Sequence, residues 1–232
     1  MEWMNQIAKQ PTWSGEISNR EAKEQVAEQV SHLVKNGDTI GVGSGSTSFL
    51  ALEKIAERVH RGEMDILAVP TSKEAEMNCQ YFGLKTTSLL SAKPDWGFDG
   101  ADEVDQQNRL IKGRGGALFA EKLVMASSPK TYILVDKSKH VGRLGENFAI
   151  PVEVDPDAIH LVEMKLAEFP VDHIQLRMAE SKDGPVITER GNVLMDMKVT
   201  NVTNDMEKEL SAIPGVIETG LFIGYSVEIL TV

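Results

Sequence analysis

The sequence holds a single cysteine, Cys79. No intramolecular disulfide and no multi-cysteine metal centre can form from it, and its place on a helical stretch makes it a small buried hydrophobe. Long apolar runs are also missing, since none approaches the ~18 residues of a membrane-spanning helix. The opening MEWMNQIAKQPTWSGE has neither the basic flank nor the apolar stretch of a secretory signal. Together these absences predict a reducing, cytoplasmic setting. Positive charge is scarce as well: 24 Lys and Arg against 35 Asp and Glu give a net charge of −11. Such a chain lacks the broad basic face that nucleic acid or an anionic membrane requires. An anionic ligand would need a local pocket of N–H groups and lysines. The histidines (His32, His60, His140, His160 and His173) show no metal-ligand spacing such as HExxH. Neither internal repeats nor a low-complexity segment is present.

With 232 residues the chain has room for one large domain or two smaller ones. The first 16 or so residues read as a loosely attached lead-in. Ser18 and Glu21 predict a capping box opening a helix. Its stripe is Ala22, Val26, Val30, Leu33 and Val34, and Gly37 closes it. A strand at 39–43, a helix capped by Ser46 or Thr47 and stopped at Gly62, a strand at 65–69 and a helix over 72–82 follow. Further strands are expected at 84–87, 97–99 and 132–135, with a helix between Gly116 and Pro129. Short strands alternating with helices predict an α/β, Rossmann-like domain with a mainly parallel sheet and helices on both faces. Past residue 150 the pattern changes. PVEV (151–154) is strand-like, and Asp155-Pro156 opens a helix through Glu168. Segments 174–179, 185–188 and 193–199, a helix at about 204–212 and a strand after Pro214-Gly215 complete it. That order, β-α-β-β-β-α-β or a close variant, predicts a smaller α+β domain of ferredoxin-like type. The expected division is 18–148, rejoined by 221–232, and 149–220. Met195 and Met197 are read as core filler.

The chemistry-bearing residues concentrate in three turns. GVGSGSTS (41–48) joins a strand to a helix N-terminus, where glycines, Ser44, Ser46, Thr47 and the first N–H groups suit an anion. It is neither a Walker loop nor a dinucleotide fingerprint, because no lysine follows in register and Ser48 stands at the third glycine position. Asp99 and Asp102 flank Gly100 just after a strand, where open α/β sheets bind ligands. Crowded carboxylates suit acid and base roles. Glu103 and Asp105 continue the acidic run and read as solvated or structural. In IKGRGGAL (111–118), Lys112 can neutralise a developing oxyanion while Gly113, Gly115 and Gly116 allow close approach. Glu121 lies on the following helix between Leu118 and Met125, whose desolvation would bring it toward a general-base range. Lys137 and Lys139, after the next strand, are candidates for a phosphate or a hydroxyl.

Taken together, GSGST (43–47), DGADE (99–103), IKGRGGAL (111–118), Glu121-Lys122 and Ser138-Lys139 resemble the type A ribose-5-phosphate isomerase family in order and spacing. The resemblance runs from about Arg20 to Phe222. It implies an aldose–ketose isomerase of the non-oxidative pentose phosphate pathway. Such an enzyme interconverts D-ribose 5-phosphate and D-ribulose 5-phosphate through a cis-enediolate, without metal or organic cofactor. It implies a sugar-phosphate partner and a homodimer or larger homo-oligomer. It assigns proton transfer to Glu121 and the other catalytic positions to Asp99, Asp102 and Lys112. Substrate contacts fall to Ser44, Gly45, Ser46 and Thr47, to Asp99, Gly100, Ala101 and Asp102, to Lys112, Gly113, Arg114 and Gly115, to Lys139, and more loosely to Lys23. Asp99 is the first choice for ring opening and Asp102 the second. Ser44 replaces a common threonine, and Arg114 stands where the family has glycine or another small residue. Two other readings fit parts of this set. One is a sugar-phosphate sensor, which would not need Glu121 and Lys112 together. The other is a related enzyme such as an acyl-CoA transferase or an amino-sugar-phosphate isomerase.

Overall fold

The computed structural model describes residues 16–232, so nearly all of the expected lead-in lies outside the described residues. The chain divides into two compact units. One gathers the chain up to Gly100 with Val124–Asp136 and Ser226–Val232; the other holds Ala101–Leu123 and Lys137–Tyr225.

The first unit is built on a five-stranded, wholly parallel sheet. Its strands are β1 (Thr39–Val42), β2 (Leu67–Pro70), β3 (Trp96–Asp99), β6 (Thr131–Val135) and β12 (Val227–Thr231), in the order β12-β6-β3-β1-β2. Parallel neighbours require crossovers. Between β1 and β2 that connection is α2 (Ser46–His60), and between β2 and β3 it is α3 (Lys73–Tyr81). Helix α1 (Arg20–Ser31) turns Val26, Ala27 and Val30 inward, against a core that includes Ile40, Leu52, Ile55, Ala68, Phe98 and Leu134. The β12 register, Val227 on Thr131 through Thr231 on Val135, returns the end of the chain to this sheet.

Three expectations fail in this unit for local reasons. Helix α1 begins at Arg20 after Asn19, which holds a left-handed conformation and makes no side-chain cap. Ser18 does not form the capping box; its Oγ instead accepts from Lys23 Nζ at 3.3 Å. The helix ends at Ser31, well before Gly37, and Leu33 falls outside the buried stripe. Segment 84–87 forms one bridge, Ala68 with Thr86, because the chain turns away at Ser88–Ser91. Cys79 is fully buried on α3, and burial, reinforced by the Glu76 carboxylate, pushes its thiol up to about 12. It is inert packing, as expected.

In the second unit, β7 (Ile150–Val154), α5 (Ile159–Leu166), β8 (Val171–Leu176), β9 (Val193–Val199), α6 (Met206–Ser211) and β10 (Val216–Thr219) run in the ferredoxin-like order. The sheet is antiparallel, β10-β7-β9-β8. Val152, Val162, Leu166, Met195, Met197 and Leu210 lie in its core. Segment 185–188 is not a third strand: it makes only the isolated bridges Met178–Pro185 and Ile187–Val193. Pro185 has no N–H to extend a ladder.

A small antiparallel sheet of β4 (Glu103–Val104), β5 (Leu110–Ile111) and β11 (Leu221–Phe222) corrects the expected domain boundary. Residues 101–123, 137–148 and 221–225 pack with the ferredoxin-like part, not with the Rossmann-like sheet. The cause is a set of ties inside this unit. Strand β5 pairs with β11, and the fully buried Glu103 carboxylate accepts from the N–H groups of Gly145, Asn147 and Phe148 at 2.6, 2.6 and 2.7 Å. Helix α4 (Leu118–Ser127) contributes its first residues, through Leu123, to this unit and the remainder to the other.

Candidate active site

In the Rossmann-like unit, strand order reverses between β1 and β3, since β2 lies on one side of β1 and β3 on the other. Ligands of open parallel sheets bind at the carboxyl ends of strands at such a reversal. The two turns found there are the ones the sequence singled out. The Gly43 N–H donates to Phe98 O at 2.8 Å. Next to it, the buried Asp99 takes the Gly100 N–H at 2.8 Å through Oδ1. Gly43 is required for this closeness, because a Cβ there would lie 2.1 Å from Asp99 Oδ1 and 2.6 Å from its Cα. Gly43→Ala is therefore expected to destabilise the fold by ~1–3 kcal/mol through overpacking and to displace Asp99, lowering activity per folded molecule. Thermal unfolding and steady-state kinetics check this; unchanged values in both would contradict the packing described.

Helix α2 starts after Gly45 with no side-chain cap, which corrects the expectation that Ser46 or Thr47 caps it. Ser46 Oγ instead accepts from Lys23 Nζ at 3.1 Å, so the structure brings the more loosely matched lysine onto this turn. Thr47 is buried. Ser44 Oγ sits 2.6 Å from Ser72 Oγ and 3.1 Å from Thr71 Oγ1, and the Gly45 N–H reaches Glu74 Oε1 at 3.4 Å.

In the other unit, Lys112 and Glu121 form a buried ion pair, Nζ to Oε2 3.5 Å, with side chains only 3% and 8% exposed. Glu121 is not a surface glutamate. The ammonium offsets the cost of burying its carboxylate. Gly113 adopts φ +93°, and a Cβ on it would lie 2.6 Å from Leu118 Cβ, so only glycine lets the Lys112 turn close onto the start of α4. Asp102, half-buried, accepts the Arg114 N–H at 3.2 Å. The Arg114 side chain is exposed, its guanidinium 5.8 Å from the centre of the Phe148 ring. Lys139 lies 5.3 Å from the centre of the same ring and is half-buried, whereas Lys137 is exposed. Ala101 is half-buried and Gly115 exposed. Lys122 is committed elsewhere, to Glu207 and Glu218 at 2.7 Å each and Thr219 O at 2.8 Å. Burial and the Glu207 carboxylate push the neighbouring Tyr225 phenol well above its ordinary range.

A sequence model of the family described as ribose 5-phosphate isomerase A (phosphoriboisomerase A) matches residues 67–231. The chain is 40% identical over 209 residues to ribose-5-phosphate isomerase A of Methanocaldococcus jannaschii, covering 89% of this chain and 92% of that protein. The chain belongs to the ribose 5-phosphate isomerase A family. A Synechococcus member is 41% identical over 206 residues, covering 87% of this chain and 88% of its own. The fold agrees with solved members of the family. The M. jannaschii structure superposes with a TM-score of 0.89 at 39% identity, covering 92% and 95% of the two chains. A D-ribose-5-phosphate isomerase in complex with phospho-erythronic acid gives 0.89 at 37% identity, covering 93% and 96%.

The stretch matched to the family includes Asp99 through Lys139, while Lys23 and the Ser44–Thr47 turn precede it. Several residues around the predicted set carry no signal in the sequence. Thr71 and Ser72 hold Ser44, Phe148 carries Lys139 and Arg114, and Arg177 reaches the Lys112 turn. Apart from Lys139, nine residues before Phe148, their partners lie tens of residues away, and no local pattern marks them. Glu103 and Asp105, read as solvated or structural, are structural: both are buried, and Asp105 pairs with Arg109 at 2.7 Å. Among the described residues no group of three or more His, Cys, Asp or Glu side chains could hold a metal ion. Nor is any helix among them long and apolar enough to cross a membrane.

Proposed function

We infer that the protein interconverts D-ribose 5-phosphate and D-ribulose 5-phosphate. Membership of the family supports the reaction, and the buried Lys112–Glu121 pair is the single observation that supports the chemistry. An aldose–ketose isomerisation removes a proton from C2 and returns it at C1 through a cis-enediolate, so one carboxylate can serve both carbons. Glu121 takes that role. Negative charge grows on the carbonyl oxygen and needs fixed donors. An ammonium has three N–H donors, so Lys112 can pair with Glu121 and still give a hydrogen bond to the oxyanion, beside the N–H groups of the 113–115 turn. Asp99 is the acid–base group for ring opening, with Asp102 as second choice. Lys139 is assigned to the phosphate with help from Lys23, and the Ser44–Thr47 turn to sugar hydroxyls or phosphate. This reading includes no metal or organic cofactor, a cytoplasmic setting in line with the single unpaired cysteine, and a homodimer or larger homo-oligomer.

A coupled assay for ribulose 5-phosphate formation, run with a chelator present, tests the reading. Turnover is expected with ribose 5-phosphate, undiminished by chelator, and none with glucosamine 6-phosphate or acyl-CoA substrates. A chain that forms no ribulose 5-phosphate would overturn it.

A further inference from the structure

We propose that Arg177 is a positioning residue for this isomerisation, orienting the 113–115 turn so that the Arg114 N–H holds Asp102 and the Gly115 N–H is presented to the substrate. The proposal rests on the reading above, in which that turn contacts the sugar. Arg177 follows β8, and its own backbone is fixed on both sides. Its N–H donates to Leu194 O at 2.8 Å, and its carbonyl accepts from the Val186 N–H at 2.9 Å. The guanidinium is held in plane by Asp196 on β9, through Nε to Oδ2 at 2.8 Å and through Nη2 to Oδ1. Both side chains are largely buried, 17% and 14% exposed, and such a bidentate pairing fixes orientation as well as charge. Nη1, on the guanidinium's other edge, donates to two consecutive carbonyls, Gly113 O at 3.3 Å and Arg114 O at 2.7 Å.

The consequence follows from peptide geometry. No peptide bond among the described residues is cis, and in a trans peptide the C=O and the following N–H point in opposite directions. Drawing the Arg114 carbonyl toward Arg177 therefore directs the Gly115 N–H away from it, while the Gly113 carbonyl is shared between Arg177 and the Gly116 N–H, which donates to it at 3.0 Å. The Arg114 N–H donates to Asp102 Oδ2 at 3.2 Å, so the same turn holds that carboxylate. The next donor along the turn is the Gly115 N–H, on an exposed residue where even an added Cβ would meet nothing within 4 Å. The cation also polarises both peptides and strengthens their N–H groups as donors. Lysine cannot reproduce this, because a single ammonium lacks the planar fork that spans Asp196 and two carbonyls.

The test compares Arg177→Met, Arg177→Lys, Arg177→Ala and Asp196→Asn with the unmodified chain, each assayed per folded molecule after thermal unfolding. Turnover is expected to fall about 10- to 100-fold in the methionine and lysine variants, the scale of a small misplacement of reacting groups, with the Michaelis constant within about twofold. Asp196→Asn, which loosens the guanidinium without removing it, should give a smaller loss of the same kind; it carries the test if the arginine variants do not fold. Arg177→Ala should regain turnover with millimolar guanidinium ion but not with ammonium. Full turnover in folded Arg177→Met, a loss that follows only the folded fraction, or rescue by ammonium as effective as by guanidinium would overturn the proposal. Glu121→Gln assayed alongside separates the two levels: if it stays active, the site reading itself fails, whereas an inactive Glu121→Gln beside a fully active Arg177→Met removes Arg177 alone.

Discussion

Replacing Glu121 with glutamine is expected to lower turnover on ribose 5-phosphate by about 10²-fold or more, the scale of a lost general base, while the Michaelis constant stays nearly unchanged. The geometry explains both halves of that result. Glutamine matches the size of the buried side chain and keeps an oxygen that can accept from Lys112 Nζ, now 3.5 Å from the carboxylate. Substrate positioning therefore survives, but an amide cannot take a proton from carbon. Removing one partner of a buried pair also costs stability, so activity must be read per folded molecule, with thermal unfolding run on the same preparation. Unchanged turnover in folded Glu121→Gln would remove the carboxylate from its role.

Lys112→Ala is the second large effect. The expected loss is about 10²–10³-fold in turnover, as for removal of an oxyanion donor. Two contributions act in the same direction. On the proposed reading the oxyanion loses a cation, and the Glu121 carboxylate is left buried without the ammonium that offsets its desolvation. Stability should fall too, because Lys112 also packs near the Phe222 ring, 5.6 Å from its centre. Steady-state kinetics distinguish this from a binding role: a defect confined to the Michaelis constant would contradict it.

What the sequence made legible was local. The buried strings TIGV and TYILV, the turn between β1 and α2, and the DGADE turn after β3 all announce themselves within a few residues, and the observed β1, β6 and β3 agree with them. The place of Glu121 on a helix just after a glycine turn was readable for the same reason, since the two are contiguous. The ferredoxin-like order was readable except for 185–188, where a proline interrupts the ladder. What escaped depends on distant partners. Ser46 looks like a cap until Lys23 is seen to donate to it. Residues 101–123 read as part of the Rossmann-like domain because they follow β3 directly. Their place in the other unit is decided by β11, more than 100 residues further on, and by the loop that Glu103 ties down. Arg177 stands between Leu176 and Met178 in a stretch of alternating apolar residues, and nothing nearby signals that it reaches residues 113 and 114.

The central claim is that the Glu121 carboxyl carries hydrogen between C2 and C1 of a bound pentose phosphate. The most direct test follows ribose 5-phosphate labelled with deuterium at C2 by NMR, comparing the unmodified chain with folded, substrate-saturated Glu121→Gln. The account predicts that the unmodified chain moves the label to C1 or releases it to solvent, and that the variant leaves it at C2, slowed about 10²-fold or more. Departure of the label at an equal rate in both proteins would contradict it.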